Sequence, residues 1–280
     1  MKLTVLVDNN TLIDHYFLAE PGVSYYIEIE EKKVLFDTGY SDVFMKNAAK
    51  MGIDLLDTDT VVLSHAHLDH TWGLQHLIQA YAERQFENRP TKRPTLIAHP
   101  SVFDRRFIPG LGNIGCLISE ETASQYFDLQ LTRQPQWLHP NLVFLGEIER
   151  ENDFEACYPI GRIRHDDTET DDFLLDDSSL AYKSSQGLVI VAGCAHAGIC
   201  NTVTQAMRVC DDSRLVDIIG GFHLLEPTER QLRNTVEHMA KWRPLALHAC
   251  HCTDLKSRLA LSKVADLQEV GVGLELIYEG

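Results

Sequence analysis

Several features are scarce in this 280-residue sequence. Basic side chains are outnumbered, since 25 Lys and Arg face 41 Asp and Glu, and the formal net charge is −16. So acidic a surface repels phosphate backbones, and no nucleic-acid partner is expected. No run approaches the roughly 18 apolar residues of a membrane-spanning helix. The opening segment, Met1 to Asp8, has too short an apolar run for a signal peptide.

Cysteine is also sparse, with seven residues scattered along the chain. An odd, dispersed set predicts reduced thiols, not a disulfide framework, and favours a cytoplasmic location. Nucleotide-binding motifs are missing as well. There is no P-loop, and the glycines at 110, 112 and 115 do not open a helix of dinucleotide-binding type.

Hydrophobic residues make up 44% of the chain and charged residues 24%, which is typical of a globular protein. Apolar strand-like runs alternate with amphipathic helical segments, which predicts an α/β fold. Predicted strands cover 3–7, 24–30, 33–36, 60–64, 95–98, 187–192, 244–250 and 274–278, with another from 215. Predicted helices cover 41–51 and 74–86, with others ending near 209, 242 and 270.

We predict one domain over residues 1–280, with an insertion or lid at about 100–180. The glycine-rich stretch from Ile108 to Gly115 reads as a loop of this lid. Loops of this kind commonly close over substrates, so we expect residues 100–120 to form a mobile cover.

Four predicted strands each run into a turn that carries a histidine. These histidines are His65, His196, His223 and His251. In open α/β sheets ligands bind beyond the carboxyl ends of the strands, so histidines from distant segments are expected to converge there.

The densest group comprises His65, His67, Asp69 and His70, directly after the buried strand at 60–64. Imidazole nitrogens and carboxylate oxygens are ligands for zinc, iron and manganese. Residues two apart on an extended turn point the same way, so His65 and His67 are predicted to share one metal. Asp69 and His70 would then face a second metal.

The pattern H-x-H-x-D-H after a hydrophobic strand, with Asp37-Thr38-Gly39 upstream, resembles the metallo-β-lactamase-fold superfamily. A closer resemblance is to its dihydropteroate-synthase-like metal-dependent hydrolase branch, which includes the dihydropterin ribofuranosylaminobenzene-phosphate synthase. The matching segments are 35–39, 62–71, 146–150, 193–202, 220–224 and 251–253.

The resemblance implies an αβ/βα four-layer sandwich that holds a metal site. It also implies that Asp37 is structural and not a ligand, and that His251 is the last metal histidine. The sequence departs from the superfamily at Cys194, which stands where a bridging aspartate is expected. The usual third histidine is also missing, and His196 is its natural replacement. Cys194 and Asp177 are alternative ligands.

We therefore predict a hydrolase with two divalent metal ions, zinc by preference, with manganese, iron or magnesium as alternatives. The predicted ligands are His65, His67 and His196 for one ion, and Asp69, His70 and His251 for the other. A metal-activated water would attack a small-molecule ester, lactone or phosphoester. Asp69 would orient that water and His223 would protonate the leaving group.

The basic turn Arg105-Arg106-Phe107 is a candidate for substrate binding, because guanidinium groups hold phosphates and stack on rings. Two other functions stay open. The resemblance suggests a pterin-linked transferase that forms a C–N bond with loss of diphosphate. The missing bridging aspartate favours a metal-dependent binding or sensing protein with little turnover.

Overall fold

A computed structural model describes residues 1–280, and in it the chain divides into two compact units. The first unit comprises Met1–Thr132, Gly161–Asp172 and Gly271–Ile277, and the second comprises Arg133–Ile160, Phe173–Val270 and Tyr278–Gly280. Each unit combines strands with helices, so the predicted α/β class is confirmed. None of the helices has the length and hydropathy needed to cross a lipid bilayer.

The first unit contains a seven-stranded and a four-stranded sheet. Numbered along the chain, its strands are β1 (Lys2–Val7), β2 (Ser24–Ile29), β3 (Lys32–Phe36), β4 (Thr60–Val62), β5 (Thr95–Ala98), β6 (Arg105–Ile108), β7 (Gly112–Asn113), β8 (Asp128–Leu131), β11 (Arg162–His165), β12 (Thr168–Asp171) and β17 (Glu275–Ile277). Its helices are α1 (Val43–Lys50), α2 (Leu68–Thr71), α3 (Leu74–Phe86) and α4 (Glu120–Tyr126), with 3₁₀ turns at Leu55–Asp57 and Pro100–Phe103.

The order of strands in the larger sheet is β17-β1-β2-β3-β4-β5-β8. Strand β4 pairs parallel with β3 and β5, and all three of its residues are buried. Apolar side chains of this sheet and of α1 and α3 pack into one core, among them Leu35, Phe44, Val61 and Leu77. The carboxyl ends of β3 and β4 are therefore held side by side, and the turns that follow them carry Asp37 and His65.

The smaller sheet corrects one expectation from the sequence. Residues 108–115, predicted as a loop, belong partly to a hairpin in which Phe107 pairs with Asn113 and Ile108 with Gly112. The sheet order is β12-β11-β6-β7. The strand signal was weak because two glycines at positive φ stand here, Gly110 in the turn of the hairpin and Gly112 at the start of β7. Its role as a cover stays a prediction.

The second unit contains a six-stranded sheet of order β16-β15-β14-β13-β10-β9. Its strands are β9 (Gln136–His139), β10 (Leu142–Phe144), β13 (Ser179–Ser184), β14 (Gly187–Ala192), β15 (Leu215–Gly221) and β16 (Ala246–Cys250). Its helices are α5 (Ile199–Cys210), α6 (Glu229–Trp242) and α7 (Leu255–Leu261).

Strands β14, β15 and β16 are parallel neighbours, so the turns that follow them lie along one edge of the sheet. These turns carry His196, His223 and His251. The helix predicted to reach residue 270 ends at Leu261, and that prediction was wrong. After α7 the chain returns to the sheet, where the backbone N–H of Gln268 donates a hydrogen bond to the carbonyl oxygen of Leu247 in β16.

Helix α5 begins with a buried carboxylate in place of an ordinary N-cap side chain. Glu155 accepts hydrogen bonds from the backbone N–H groups of Cys200 and Asn201, at 3.0 and 3.1 Å. A negative charge at this end of a helix is favourable, because the first N–H groups have no partner within the helix. Gly198 makes room for it, since a Cβ there would lie 2.3 Å from Glu155 Oε2.

Gly73 provides a test of how tightly the histidine segment is packed. A Cβ at this position would lie 2.0 Å from the backbone carbonyl oxygen of Thr38. We expect Gly73→Ala to lower the free energy of unfolding by about 1–3 kcal/mol, because the backbone must shift to relieve the overlap. Urea unfolding measures this. The control Gln79→Ala, at an exposed site on α3, should change it by less than about 0.5 kcal/mol, and equal effects would contradict the account.

Candidate metal centre

Three imidazole rings of the first unit lie together after β4. The ring centroid of His65 is 4.8 Å from that of His67 and 4.2 Å from that of His70. His65 and His70 are fully buried, and His67 is 9% exposed. Asp69 is partly exposed, with Oδ2 3.6 Å from His70 Nε2. The turn thus gathers the four predicted ligands of this segment into one small volume.

Asp37 organises this cluster from the end of β3. Its Oδ1 accepts the backbone N–H of Ser64 at 2.7 Å, and its Oδ2 accepts the hydroxyl of Ser64 at 2.7 Å. The same Oδ2 lies 2.7 Å from Nδ1 of His70. Asp37 is completely buried, so its carboxylate supports the histidines without facing solvent. This matches the structural role that the resemblance implies.

These contacts fix which ring nitrogens carry hydrogen. A carboxylate only accepts hydrogen bonds, so Nδ1 of His70 is the donor to Asp37. The single hydroxyl proton of Ser64 goes to Asp37, so Nδ1 of His65, 2.9 Å from Ser64 Oγ, donates to that oxygen. In their neutral forms both rings then have the lone pair on Nε2. Carboxylate-oriented imidazoles of this kind are the usual metal ligands in proteins.

In the second unit, the turns after β14 and β15 bring His196 and His223 together. Their ring centroids are 4.3 Å apart, and His196 is 6% exposed. Cys194 lies on the same turn as His196, with Sγ 3.9 Å from His223 Nδ1. Cys252 lies on the turn after β16, and its Sγ is within 4.8 Å of Cys194 Sγ and of a ring nitrogen of His223. His251 is adjacent in sequence and partly buried.

The strand-end turns are strained. Asp37, Ala195, His223 and His251 all have positive φ, at 57°, 47°, 51° and 51°. Residues other than glycine rarely adopt this backbone conformation. It costs on the order of 1–3 kcal/mol for each residue and is concentrated at functional sites. The two units therefore share this feature at the places where chemistry was expected.

Burial shifts the ionisation of the groups around His196 and His223. It raises the pKa of Asp177 to about 7, although that carboxylate accepts the backbone N–H of Ala197. Burial alone would raise the pKa of the Cys252 thiol. The hydrogen bond with Cys194 and the nearby histidines have a larger, opposite effect, so the pKa of Cys252 lies well below its usual value. The pKa of His223 is raised, because the interaction with Cys252 outweighs burial.

A pocket opens beside His196 and His223 within the second unit. Its volume is about 450 Å³, which is the size of a small-molecule site. Aromatic side chains from two segments line it, including Phe154, Tyr158 and Phe173. We did not predict this pocket from the sequence, because most of its wall is irregular chain at 153–160 and 225–228, next to the start of α6. The aromatic residues spread along these segments are the only sequence feature that could have indicated the pocket.

The donor set of the first unit suits a divalent metal ion. Three imidazoles and one carboxylate offer nitrogen and oxygen ligands that match zinc, iron and manganese. The Nδ1 atoms of His65 and His70 are already engaged, which turns Nε2 toward the role of ligand atom. In the second unit, imidazole and thiol groups are also metal donors, and the thiols favour zinc over harder ions.

The predicted substrate-binding turn has two different environments. Arg106 is completely buried and pairs with Asp172 at 2.8 Å, so its guanidinium is committed to that ion pair. Arg105 is exposed and its guanidinium carbon lies 5.5 Å from the centre of the Phe107 ring. Substrate contact by Arg105 and Phe107 stays a prediction.

A family model described as the metallo-beta-lactamase superfamily matches residues 18–173, which is more than half of the chain. The protein belongs to this superfamily, and the fold class predicted from the sequence is confirmed.

Among its relatives is the 7,8-dihydropterin-6-methyl-4-(beta-D-ribofuranosyl)-aminobenzene-5′-phosphate synthase of Methanocaldococcus jannaschii. It is 28% identical over 270 residues, which cover 92% of this chain and 89% of the relative. The predicted resemblance to the synthase-containing branch is thereby confirmed.

Solved structures agree on the fold. Tm1679, a metal-dependent hydrolase of the beta-lactamase superfamily, is 24% identical, covers 100% of both chains and has a TM-score of 0.83. The metallo-beta-lactamase fold protein YhfI from Bacillus subtilis is 12% identical, covers 98% of both chains and has a TM-score of 0.58.

The role of Asp37 leads to a direct test. In Asp37→Asn one amide oxygen replaces two carboxylate oxygens that accept three hydrogen bonds. We expect metal affinity to fall by about 10–100-fold while the chain still folds, because His65 and His70 lose their orientation. Calorimetric titration with zinc measures this. Asp42→Asn, at a partly exposed site, is the matched control, and equal affinity in the two variants would refute the role.

Proposed function

We propose that this protein is a metal-dependent enzyme that hydrolyses a small molecule. The observation that carries the proposal is the histidine cluster of the first unit, in which Asp37 and Ser64 set the tautomers of His65 and His70. A solvated histidine loop needs no buried carboxylate behind it. The superfamily to which the chain belongs adds support, since its name describes enzymes that use bound metal.

We propose further that two metal ions bind, with the six ligands predicted from the sequence. His65, His67 and His196 would hold one ion, and Asp69, His70 and His251 the other. The support for His196 and His251 is that each follows one of the parallel strands of the same sheet. His196 is also buried at the wall of the aromatic pocket.

Bound metal would supply a water molecule with a pKa near neutrality and polarise the substrate oxygen. The protein's own residues would do the rest. Asp69, the partly exposed carboxylate of the cluster, would accept a hydrogen bond from the water and orient it. His223, at the pocket, would hold the proton for the leaving group, and its raised pKa keeps that proton available near neutral pH. Esters, lactones and phosphoesters all fit this chemistry.

A second candidate is a pterin-linked transferase that forms a C–N bond with loss of diphosphate. It is favoured by the likeness to the archaeal synthase along 92% of the chain. The aromatic pocket is compatible with it, because Phe154 and Phe173 could pack against a planar ring. A binding or sensing protein with little turnover is the third candidate, since Cys194 replaces the expected bridging aspartate.

Replacement of His67 tests the metal centre. His67→Ala should remove most of the bound metal and most of the activity while the chain stays folded, because one ligand of a buried set is lost. Elemental analysis of purified protein measures metal stoichiometry, and circular dichroism confirms folding. His15→Ala, at an exposed histidine, is the control. Unchanged stoichiometry in His67→Ala would remove the basis of the proposal.

A comparison of three variants tests the ligand of the second unit. His196→Ala should weaken metal binding far more than Cys194→Ser or Asp177→Asn, because we assign only the imidazole as a ligand. The affinity of each variant for zinc, measured by competition with a chelating dye, decides this. A larger loss in Cys194→Ser or Asp177→Asn would transfer the role to that residue.

Steady-state assays separate the candidate functions. Metal-loaded protein is tested on phosphodiester, lactone and thioester panels, and on a dihydropterin diphosphate with an aryl amine. We expect turnover in the hydrolytic panel, with loss of activity in His67→Ala. Release of diphosphate only when the amine is present would favour the transferase. Ligand-induced thermal shifts without turnover in either assay would favour a binding protein.

A further inference from the structure

Two cysteines of the second unit meet beyond the ends of the parallel strands of its sheet. Cys194 lies two residues beyond β14 and Cys252 two residues beyond β16, and their Sγ atoms are 2.9 Å apart. The distance in a disulfide is about 2.03–2.05 Å, so the two sulfur atoms are less than about 1 Å from bonding distance. They are 58 residues apart in the chain, so the tertiary fold brings them together.

The contact depends on a glycine between the two turns. Strand β15 separates β14 from β16, and neighbouring strands lie about 4.7–4.9 Å apart, so the two cysteines must reach across its end. Gly221 is the last residue of β15. A Cβ at that position would lie 2.6 Å from Cys252 Sγ and 3.1 Å from Cys194 Cα. The absence of a side chain at residue 221 therefore opens the space in which the thiols meet.

Backbone groups hold the Cys252 side chain in place. Its sulfur accepts the backbone N–H of His223 at 3.2 Å and faces the carbonyl oxygen of Cys194 at 3.4 Å. Cys194 is 5% exposed, whereas Cys252 is less completely buried. Cys252 is thus the more exposed residue of the pair, and we assign it as the thiol that meets the oxidant. Paired cysteines of this arrangement are common at sites of reversible oxidation.

We propose that Cys194 and Cys252 are a site of oxidative modification, which closes to a disulfide on reaction with a peroxide. The Cys252 sulfur attacks one oxygen of hydrogen peroxide, so that an S–O bond forms, the O–O bond breaks and water leaves. The Cys194 sulfur then attacks the Cys252 sulfur, so that the S–S bond forms, the S–O bond breaks and a second water leaves. Two thiols lose two electrons and two protons, and one peroxide becomes two waters.

A thiol-rich metal site is the competing interpretation, because His223 Nδ1 also lies close to both sulfurs. The sulfur spacing favours the disulfide pair. Two thiolates on a tetrahedral zinc with bonds of about 2.3 Å stand roughly 3.7 Å apart. At 2.9 Å the sulfurs are well inside that spacing and in direct contact with each other. The proposal does not depend on the metal centre or on the reaction proposed above.

Peptide mapping of the oxidised protein tests the site. Full-length protein is reduced, cleared of metal with a chelator, treated with stoichiometric hydrogen peroxide and blocked with N-ethylmaleimide under denaturing conditions. We expect the seven thiols of the chain to fall to five, since two are consumed. A cross-linked peptide pair containing Cys194 and Cys252 should appear, and dithiothreitol should restore seven thiols. Mapping of the wild-type chain is sufficient if a variant fails to fold.

Two serine variants sharpen the result. Cys252→Ser should abolish the cross-link, whereas Cys157→Ser, at an exposed cysteine, should retain it. Three outcomes would overturn the proposal. The first is that no cross-link between residues 194 and 252 forms in the wild-type chain, and the second is that a cross-link to another cysteine forms instead. The third is that peroxide does not cross-link the reduced protein, while added zinc protects both thiols. The last outcome would assign the cluster to a metal.

Discussion

The carboxylate of Asp37 is the constraint on which the histidine cluster depends. It is completely buried, so it must be hydrogen-bonded, and the groups that satisfy it are Ser64 and His70. One buried charge thus fixes the direction of two imidazole rings, His70 directly and His65 through the serine hydroxyl. If this carboxylate were lost, the rings could rotate and exchange tautomers. The chemistry proposed for the centre needs both rings held still.

The surrounding fold explains why such a carboxylate can be buried at all. Strands β3 and β4 are parallel neighbours, so the turn with Asp37 and the turn with Ser64 lie at the same end of the sheet. Backbone contacts then tie the turns together, since Thr38 N–H donates to the carbonyl of His70 at 2.8 Å. Gly73 packs closely against the backbone carbonyl oxygen of Thr38. Packing therefore supplies the rigidity, and the polar groups supply the orientation.

Much of this could be predicted from the sequence. The predicted bounds of β5, β14 and α3 agree with the structure. Buried apolar strands and amphipathic helices have a distinctive local pattern, so their ends could be placed from the sequence. The ligand types and their place after strands were also readable, because spacing and chemistry are local properties. Ser64 as the link to His65 was not predicted, because one hydroxyl in a strand end has no distinctive pattern. Contacts such as Cys194 with Cys252 depend on strand order, which local sequence does not specify.

In the second unit, burial changes the ionisation of acidic side chains. The pocket beside His196 and His223 is lined by aromatic rings. Near it, burial raises the pKa of Asp177 to about 7. An acidic run such as the one at 166–177 is usually a solvated surface segment. Its first part fits that description, because the strand Thr168–Asp171 is exposed, but Asp176 and Asp177 are buried. Charge runs can thus change environment within a few residues, and only the fold distinguishes their two ends.

X-ray absorption spectroscopy of metal in the purified protein tests the central claim most directly, because it reports the atoms bound to the metal. The account predicts a first shell of nitrogen and oxygen at about 2.0–2.1 Å, with the multiple-scattering pattern of several imidazoles. A first shell dominated by sulfur at about 2.3 Å, without imidazole scattering, would contradict it. So would protein that binds no transition metal when it is supplied in excess.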